Sequence, residues 1–336
     1  MTHQPHTLPP RFIEVASRDA MTRTPKVSVM TLTYNHEPYI AQCIEGVMSQ
    51  QTAFAIEMVI GEDGSTDRTS EICRAYQQRF PDRIRLLLAE RNAGRFENLR
   101  QTMQACRGEY MALLEGDDYW TDPGKLRKQA DLLDQHPEWA ICFHNVNIIG
   151  DRTAGRPPLF FENPPKPVFT REDFIERNFI PTCSCVYRSH PPLALPAWFY
   201  EPEKNPYTDW ILHVIRAEHG DIGYVDAVMA THRSHAGGIW GQTFDGTREG
   251  DISRMKRRLT TFERLTELMG PRCRRRLRRQ RAMACFHIGI AYRELGDRAE
   301  ARRFILRAFR TDPLAPAPLV RSLLAACRVE NTGGAR

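Results

Sequence analysis

From Lys26 onward, short runs of β-branched and aliphatic residues alternate with amphipathic stretches, a pattern that predicts an α/β fold with a mostly parallel sheet flanked by helices. Val27–Thr33 predicts the first strand, and Pro38–Ser49 the first helix, its proline suited to an opening turn where a missing N–H costs nothing. Ile56–Ile60 follows as a strand. Thr69–Phe80 follows as a helix opened by Ser65-Thr66-Asp67, whose oxygens can cap free backbone N–H groups and whose negative charge suits the positive helix end. Ile84–Ala89, Phe96–Arg107 and Tyr110–Leu114 continue as strand, helix and strand. Ligands of open α/β sheets bind beyond the carboxyl ends of the strands, so the tips of the first, second and fourth strands should converge on one crevice.

Further on, Pro123–Gln135 predicts a helix and Ala140–Asn145 a strand, after which the proline-rich segment Arg156–Pro167 reads as a loop or lid. Helix Arg171–Asn178, strand Cys183–Arg188, helix Thr208–Glu218 and strand Asp226–His232 follow, and from about Asp251 the pattern is all-helical. Within that tail, Gly289, Tyr292, Gly296, Ala301, Ala308 and Pro313 have spacings that resemble one tetratricopeptide helix-turn-helix unit over Ala282–Pro313. One such unit cannot bury its own apolar face, so it must pack on the rest of the chain, on Leu319–Ala326 or on a partner.

Composition narrows the class. A chain of 336 residues with 41% hydrophobic and 26% charged residues is neither collagen-like nor largely disordered, and its length suits two domains. Nine scattered cysteines argue against a disulfide framework or a structural zinc site. Residues 1–25 read as a flexible leader or closing strap without a signal-peptide core, and nowhere does an apolar run approach the roughly 18 residues of a membrane span. The expected location is the cytoplasm.

Two constellations carry chemistry. Thr33-Tyr34-Asn35 ends the first strand and Glu62-Asp63-Gly64 the second, where carboxylates can accept hydrogen bonds from a nucleobase N–H and ribose hydroxyls. Beyond the fourth strand stands Glu115-Gly116-Asp117-Asp118. Three carboxylates in four residues repel one another unless a cation intervenes, and oxygen ligands suit Mg²⁺ or Mn²⁺, which would bridge a diphosphate. Trp120, Trp210 and Trp240 are candidates either for stacking on a sugar face, here as acceptor-binding residues, or for the core. His144-Asn145 ends a strand on the same expected edge, as a ligand contact or a structural pair. Cys183 and Cys185 read as an inert pair.

VSVMTLTYN, VIGEDGSTD, NAG at 92–94 and YMALLEGDDYWTDPGKL, in this order, resemble the family 2 glycosyltransferases with the GT-A fold. The likeness is close over Val27–Asn145, looser to about Gly241, and specific as a set. It implies a catalytic domain over residues 26–250 that transfers a sugar, with inversion, from a nucleotide diphosphate sugar, UDP-linked by the family's commonest habit, to an acceptor hydroxyl. The acceptor would be a glycan or a lipid-linked molecule, in the synthesis of polysaccharide or glycoconjugate. By the same resemblance Thr33, Tyr34, Asn35, Glu62 and Asp63 hold the nucleoside, and Asn92 and Arg95 approach the diphosphate or the sugar. Glu115, Asp117 and Asp118 stand for the family's D-x-D element, with Glu in place of the first Asp. The family's general base at the start of a later helix corresponds to Asp209 in Tyr207-Thr208-Asp209-Trp210, where a carboxylate can take the proton of a poorly nucleophilic hydroxyl. Arg233 and His235, in a segment that resembles the end of such catalytic domains, would serve the leaving diphosphate and the metal. A nucleotidyltransferase and an inactive transferase-like scaffold are the alternatives.

Charge is concentrated at one place. The net charge is +6, yet residues 252–281 hold twelve Lys or Arg against two Glu, a local balance of +10 that leaves −4 for all other residues. Seven of those arginines fall within Pro271–Arg281. Without interleaved aromatics the run does not suit nucleic acid. Two readings stay open for the helical region 251–330: peripheral contact with the inner face of a membrane through 252–281, or a solvated helix face pairing with acidic residues of the catalytic domain.

Overall fold

The computed structural model describes residues 10–22, 24–150, 158–163, 166–235, 237–238 and 247–315. In chain order the elements are β1 (Phe12–Val15), α1 (Arg18–Thr22), β2 (Val27–Thr33), α2 (Ile40–Met48), β3 (Ile56–Glu62), α3 (Thr69–Arg79), β4 (Ile84–Ala89), α4 (Arg95–Ala105), β5 (Tyr110–Leu113), β6 (Tyr119–Trp120), α5 (Lys125–Gln135) and β7 (Trp139–Ile149). They continue with β8 (Val168–Phe169), β9 (Val186–Arg188), α6 (Thr208–Arg216), β10 (Asp221–Arg233), α7 (Arg248–Leu268), α8 (Arg274–Glu294) and α9 (Arg298–Thr311). Among the described residues ten strands form one sheet in the order β1-β4-β3-β2-β5-β9-β7-β10-β6, with β8 beside β10.

The parallel part is β4-β3-β2-β5, and the β7–β10 pair is parallel too. β1, β6, β8 and β9 pair antiparallel, so the sheet is mixed rather than mostly parallel. Strands buried on both faces read as unbroken apolar runs, and β2, β3 and β4 are buried almost throughout. One face carries Ile40, Ile44 and Val47 of α2, Cys73 of α3, and Leu126 and Leu133 of α5 against Val27, Val29, Met58 and Ile84. On the other face α4 meets Gly61, whose carbonyl accepts from Asn98 Nδ2 at 2.9 Å.

Of the two readings of 1–25, flexible leader or closing strap, the described part takes the second and forms the edge of the sheet. β1 covers the open side of β4, and Glu14 meets the buried Arg85 at 2.6 Å. Uncovered strand edges expose unpaired backbone groups, which this strap satisfies.

The chain divides into two compact units. One comprises Met1–Arg171, Phe179–Tyr200 and Ile215–His235, the other Glu172–Asn178, Glu201–Val214 and Ala236–Arg336. The boundary expected at residue 250 thus moves, because the segment with Asp209 and Trp210 packs among the helices. Trp210 Nε1 donates to Phe174 O at 3.1 Å, and its ring meets Phe262 of α7 edge-on at 5.7 Å. The hairpin α8–α9 is the helix pair that the tetratricopeptide-like spacing predicts, with Asp297 capping α9 through the N–H of Glu300 at 3.0 Å. The helix expected over Arg171–Asn178 shortens to one 3₁₀ turn, Arg171–Ile175, and Cys183 falls in another, Thr182–Ser184.

Candidate active site

Three strand tips build the crevice in the sheet-bearing unit. At the end of β2 the backbone of Asn35 turns into the left-handed region, φ 55°, which asparagine tolerates because its side chain bonds locally. Its Oδ1 accepts from Thr66 N at 2.8 Å, and its N–H donates to Ser65 Oγ at 3.0 Å. Asp67 accepts from Glu37 N at 3.0 Å and Thr69 N at 2.9 Å. The tips of β2 and β3 are thereby stitched together, and Ser65-Thr66-Asp67 serves chiefly to lock the β2 turn. Glu62 accepts from Ser65 N at 2.7 Å and Asp63 from Ala93 N at 2.7 Å, so both expected nucleoside ligands are buried and oriented by backbone N–H groups. Burial pushes the Asp63 carboxyl up against the pull of the Ala93 and Gly94 N–H groups. Tyr34, Asn92 and Arg95 are exposed near these tips.

The third tip is Glu115–Asp118. A Cβ on Gly116 would lie 2.7 Å from Thr33 Oγ1 and 2.9 Å from His36 Nδ1, so only glycine lets this loop lie against the β2 tip. Around it the acidic residues separate by environment. Asp118 is 2% exposed and accepts from Arg233 N at 2.8 Å, with His232 Nδ1 at 3.0 Å from its Oδ2. Burial opposes the charge on His232, but Asp118 beside it wins and pushes the imidazole up to about 9. Asp117 points the other way, 3.0 Å from His235 Nε2 and 3.9 Å from His36 Nε2. Burial would raise its carboxyl; the hydrogen bond from His235 and the charges of His36 and His232 hold it below the ordinary value. Glu115 is driven well up by burial and by Asp118 and Asp117, and its Oε2 is shut off from water without a partner.

Arg233, at the end of β10, closes the arrangement. Its Nη1 donates to Asp117 O at 2.5 Å, its Nη2 meets Gln42 Oε1, and its guanidinium lies over Tyr119 at 4.4 Å and Tyr39 at 5.1 Å. The structure thus brings together Thr33, Asn35, Glu62, Asp63, Glu115, Asp117, Asp118, Arg233 and His235.

A model of the family described as Glycosyl transferase family 2 matches residues 28–191. An uncharacterized protein of Mycobacterium tuberculosis is 37% identical over 246 residues, covering 72% of this chain and 68% of that protein. The chain belongs to glycosyl transferase family 2. The glycosyltransferase GlyG of Streptococcus pneumoniae is 33% identical over 92 residues, covering 27% of this chain and 30% of that protein. Among solved structures, S. aureus TarS 1–349 in complex with UDP matches with a TM-score of 0.51 at 16% identity, covering 85% of this chain and 91% of that one. Mannosyltransferase PcManGT from Pyrobaculum calidifontis in complex with GDP-Man and Mn²⁺ matches at 0.50 and 15% identity, covering 94% and 83%. These likenesses establish the GT-A fold for this family 2 glycosyltransferase.

Some expectations about the glycosyltransferase need correction. Asp118, expected on a metal, accepts from the Arg233 backbone N–H and lies beside His232. Trp120 and Trp210, expected against an acceptor, are 4% and 5% exposed and sit in the core, the first with Nε1 donating to Cys183 O at 2.9 Å. Trp240 lies outside the described residues. Asn145 is structural, tying Phe161 N and O to β7 at 3.0 and 2.9 Å, and His144 is buried and kept neutral by that burial. Asp209 begins α6 in the helical unit, where Asn178 Nδ2 donates to its Oδ2 at 2.8 Å. His36, Tyr39, Gln42 and His232 escaped sequence reasoning. The cue for the first three was the run from the β2 tip into α2, whose polar positions recur every three residues.

Proposed function

We propose that this glycosyltransferase moves a sugar from a nucleoside-diphosphate sugar to an acceptor hydroxyl, with inversion and with help from a divalent cation. The observation that carries the reading is the Glu115–Asp118 loop, where the Arg233 guanidinium donates to the backbone carbonyl of Asp117 while the Asp117 carboxylate, held below its ordinary value, faces His235, so that one loop offers a cation for a diphosphate and a carboxylate for its counter-ion. Nucleoside-diphosphate sugars of this chemical class are bound in the structures of TarS with UDP-GlcNAc and of PcManGT with GDP-Man and Mn²⁺.

The residues fit a cation. Among the described residues Glu115 Oε2 and Thr33 Oγ1 are buried without partners next to the Asp117 and Asp118 carboxylates, and Asp117 with His235 offers one oxygen and one nitrogen donor. Among the described residues no group of three or more His, Cys, Asp or Glu is placed to hold an ion, so further ligands would come from diphosphate and water. When bound, Mg²⁺ or Mn²⁺ would neutralise charge developing on the leaving diphosphate. Thr33, Tyr34, Asn35, Glu62 and Asp63 orient the nucleoside, with Asn92 and Arg95 beyond it. Arg233 meets the diphosphate as the bond to the anomeric carbon breaks and its electron pair passes to the phosphate oxygen. Asp209 keeps the role of general base on chemical grounds: its carboxylate removes the acceptor proton as the new bond forms. UDP is the first donor to test.

Nucleoside diphosphate release is to be measured across a panel of UDP- and GDP-sugars, with Mn²⁺, Mg²⁺ or chelator. Metal-dependent release with one donor is expected, and Asp209→Asn should keep donor binding while losing transfer. Absence of any donor-dependent stabilisation or release would overturn the reading.

A further inference from the structure

The arginine run at the start of α8 divides by its partners. Arg276 meets Glu176 at 3.2 Å, Arg278 meets Asp312 at 3.8 Å and Arg281 meets Glu263 at 3.9 Å, all acidic residues of the helical unit itself. Arg272, Arg274, Arg275 and Arg279 are exposed, and among the described residues no carboxylate meets them. At about 100° per residue, Arg274, Arg275, Arg278 and Arg279 span about 140° of one helix face. Leu277 and Cys273 are buried on the other side.

This arrangement is unfavourable for the helix on its own. The first turn of α8 holds no acidic residue and three arginines, where the helix dipole is positive and disfavours a cation. Glu176 offsets one of them, Arg276, and the two that no described carboxylate offsets, Arg274 and Arg275, mark a site under another demand. A second observation shows which demand. At the neighbouring end of α9, Asp312, the residue that meets Arg278, accepts from Leu314 N at 3.1 Å and holds a turn that leaves Leu314 80% exposed. Cations flanked by a projecting aliphatic side chain match an anionic bilayer, where the charges meet headgroups and the leucine enters the acyl boundary. Nucleic acid would call for stacking aromatics, which this helix face lacks.

We propose that the arginine face of α8, with Leu314 at its edge, docks the chain on an anionic lipid bilayer. The surface is independent of the transferase chemistry. Sedimentation of the full chain with vesicles tests it. Binding is expected to phosphatidylglycerol-containing vesicles and not to pure phosphatidylcholine, weakening as salt rises. Each arginine is worth about fivefold in affinity, so a variant with Arg272, Arg274, Arg275 and Arg279 all replaced by Gln should bind at least about a hundredfold more weakly. Leu314→Ser should lose about tenfold. The quadruple variant should melt no lower than the parent and keep its activity on a soluble acceptor, so a failure here is distinguishable from failure of the transferase reading. Unchanged sedimentation of the variant, equal binding to neutral vesicles, or tighter binding to duplex DNA at the same salt would overturn the proposal.

Discussion

Asp117 and Asp118 are adjacent in sequence and each has a histidine nitrogen at 3.0 Å, yet they differ in how many of their oxygens are already engaged. Asp117 keeps one oxygen toward His235 and the crevice, whereas Asp118 spends its oxygens on His232 and on the backbone of Arg233. Isothermal titration with Mn²⁺ and donor should therefore separate them: Asp117→Asn abolishes metal-dependent binding, while Asp118→Asn weakens it by about tenfold, as expected of a group that only orients others. Equal effects would remove the distinction. A second residue-scale prediction concerns Lys125. Its ammonium is buried 4.0 Å from the centre of the Trp120 ring and donates to Gln129 Oε1 at 2.7 Å, and burial lowers it to about 8 from 10.5. Below pH 8 both folded and unfolded chains hold the proton and the cost of burying the charge is full. Between 8 and 10.5 only the unfolded chain is protonated, so that cost is relieved as pH rises. The shift is worth on the order of 3 kcal/mol. Lys125→Met should thus lose about that much stability relative to the parent on going from pH 7 to 10.5. The difference between the two urea-unfolding curves isolates Lys125, since burial raises Cys43, Cys73 and Cys142 as well and lowers the stability of both proteins at alkaline pH.

At the scale of elements, β1 is held by one carboxylate as well as by its ladder. Arg85 is 4% exposed in its side chain and is shared by Glu14 at 2.6 Å and Glu57 at 3.1 Å, so Glu14→Gln removes one of two anions from a buried guanidinium. A loss of about 1–3 kcal/mol in urea unfolding is expected, because Glu57 still neutralises part of the charge. A loss within experimental error would mean that the Glu14 charge does not help to hold the strap. That β1 went unforeseen has a physical cause: Phe12–Val15 is four residues at an edge, with Glu14 on one face, among prolines and histidines that read as loop. By contrast β2 and β4 were legible to the residue, because strands buried on both faces leave unbroken apolar runs. β10 was legible only over Asp226–His232, since its pairing with β7 shifts register at Val225/Val228 and Val228/Ala230 and blurs the period. In the site, the acidic motifs were visible and their partners were not. His232 and His235 approach Asp118 and Asp117 from more than a hundred residues away, and sequence does not show which of two neighbouring carboxylates each will face.

For the whole molecule, the net charge of +6 conceals a division of labour, with +10 in residues 252–281 and −4 elsewhere. Under the proposed function donor chemistry would fall to the sheet-bearing unit, which holds Arg233 and the buried carboxylates, while the basic surface belongs to the helices. Among the described residues no helix is long and apolar enough to cross a membrane. Attachment through the arginine face, being electrostatic, would be sensitive to salt. These two properties should respond to different agents. Donor with Mn²⁺ binds only the folded crevice, and at a hundred times the dissociation constant it adds about 2.7 kcal/mol of stability. In a unit of this size that should raise the melting temperature by about 5–10 °C. Chelator should erase most of the rise, Asp117→Asn should prevent it, and vesicles should leave it unchanged. If phosphatidylglycerol vesicles raised the melting temperature without donor by the same amount, and donor added nothing further, the crevice and the arginine face would not be separate sites.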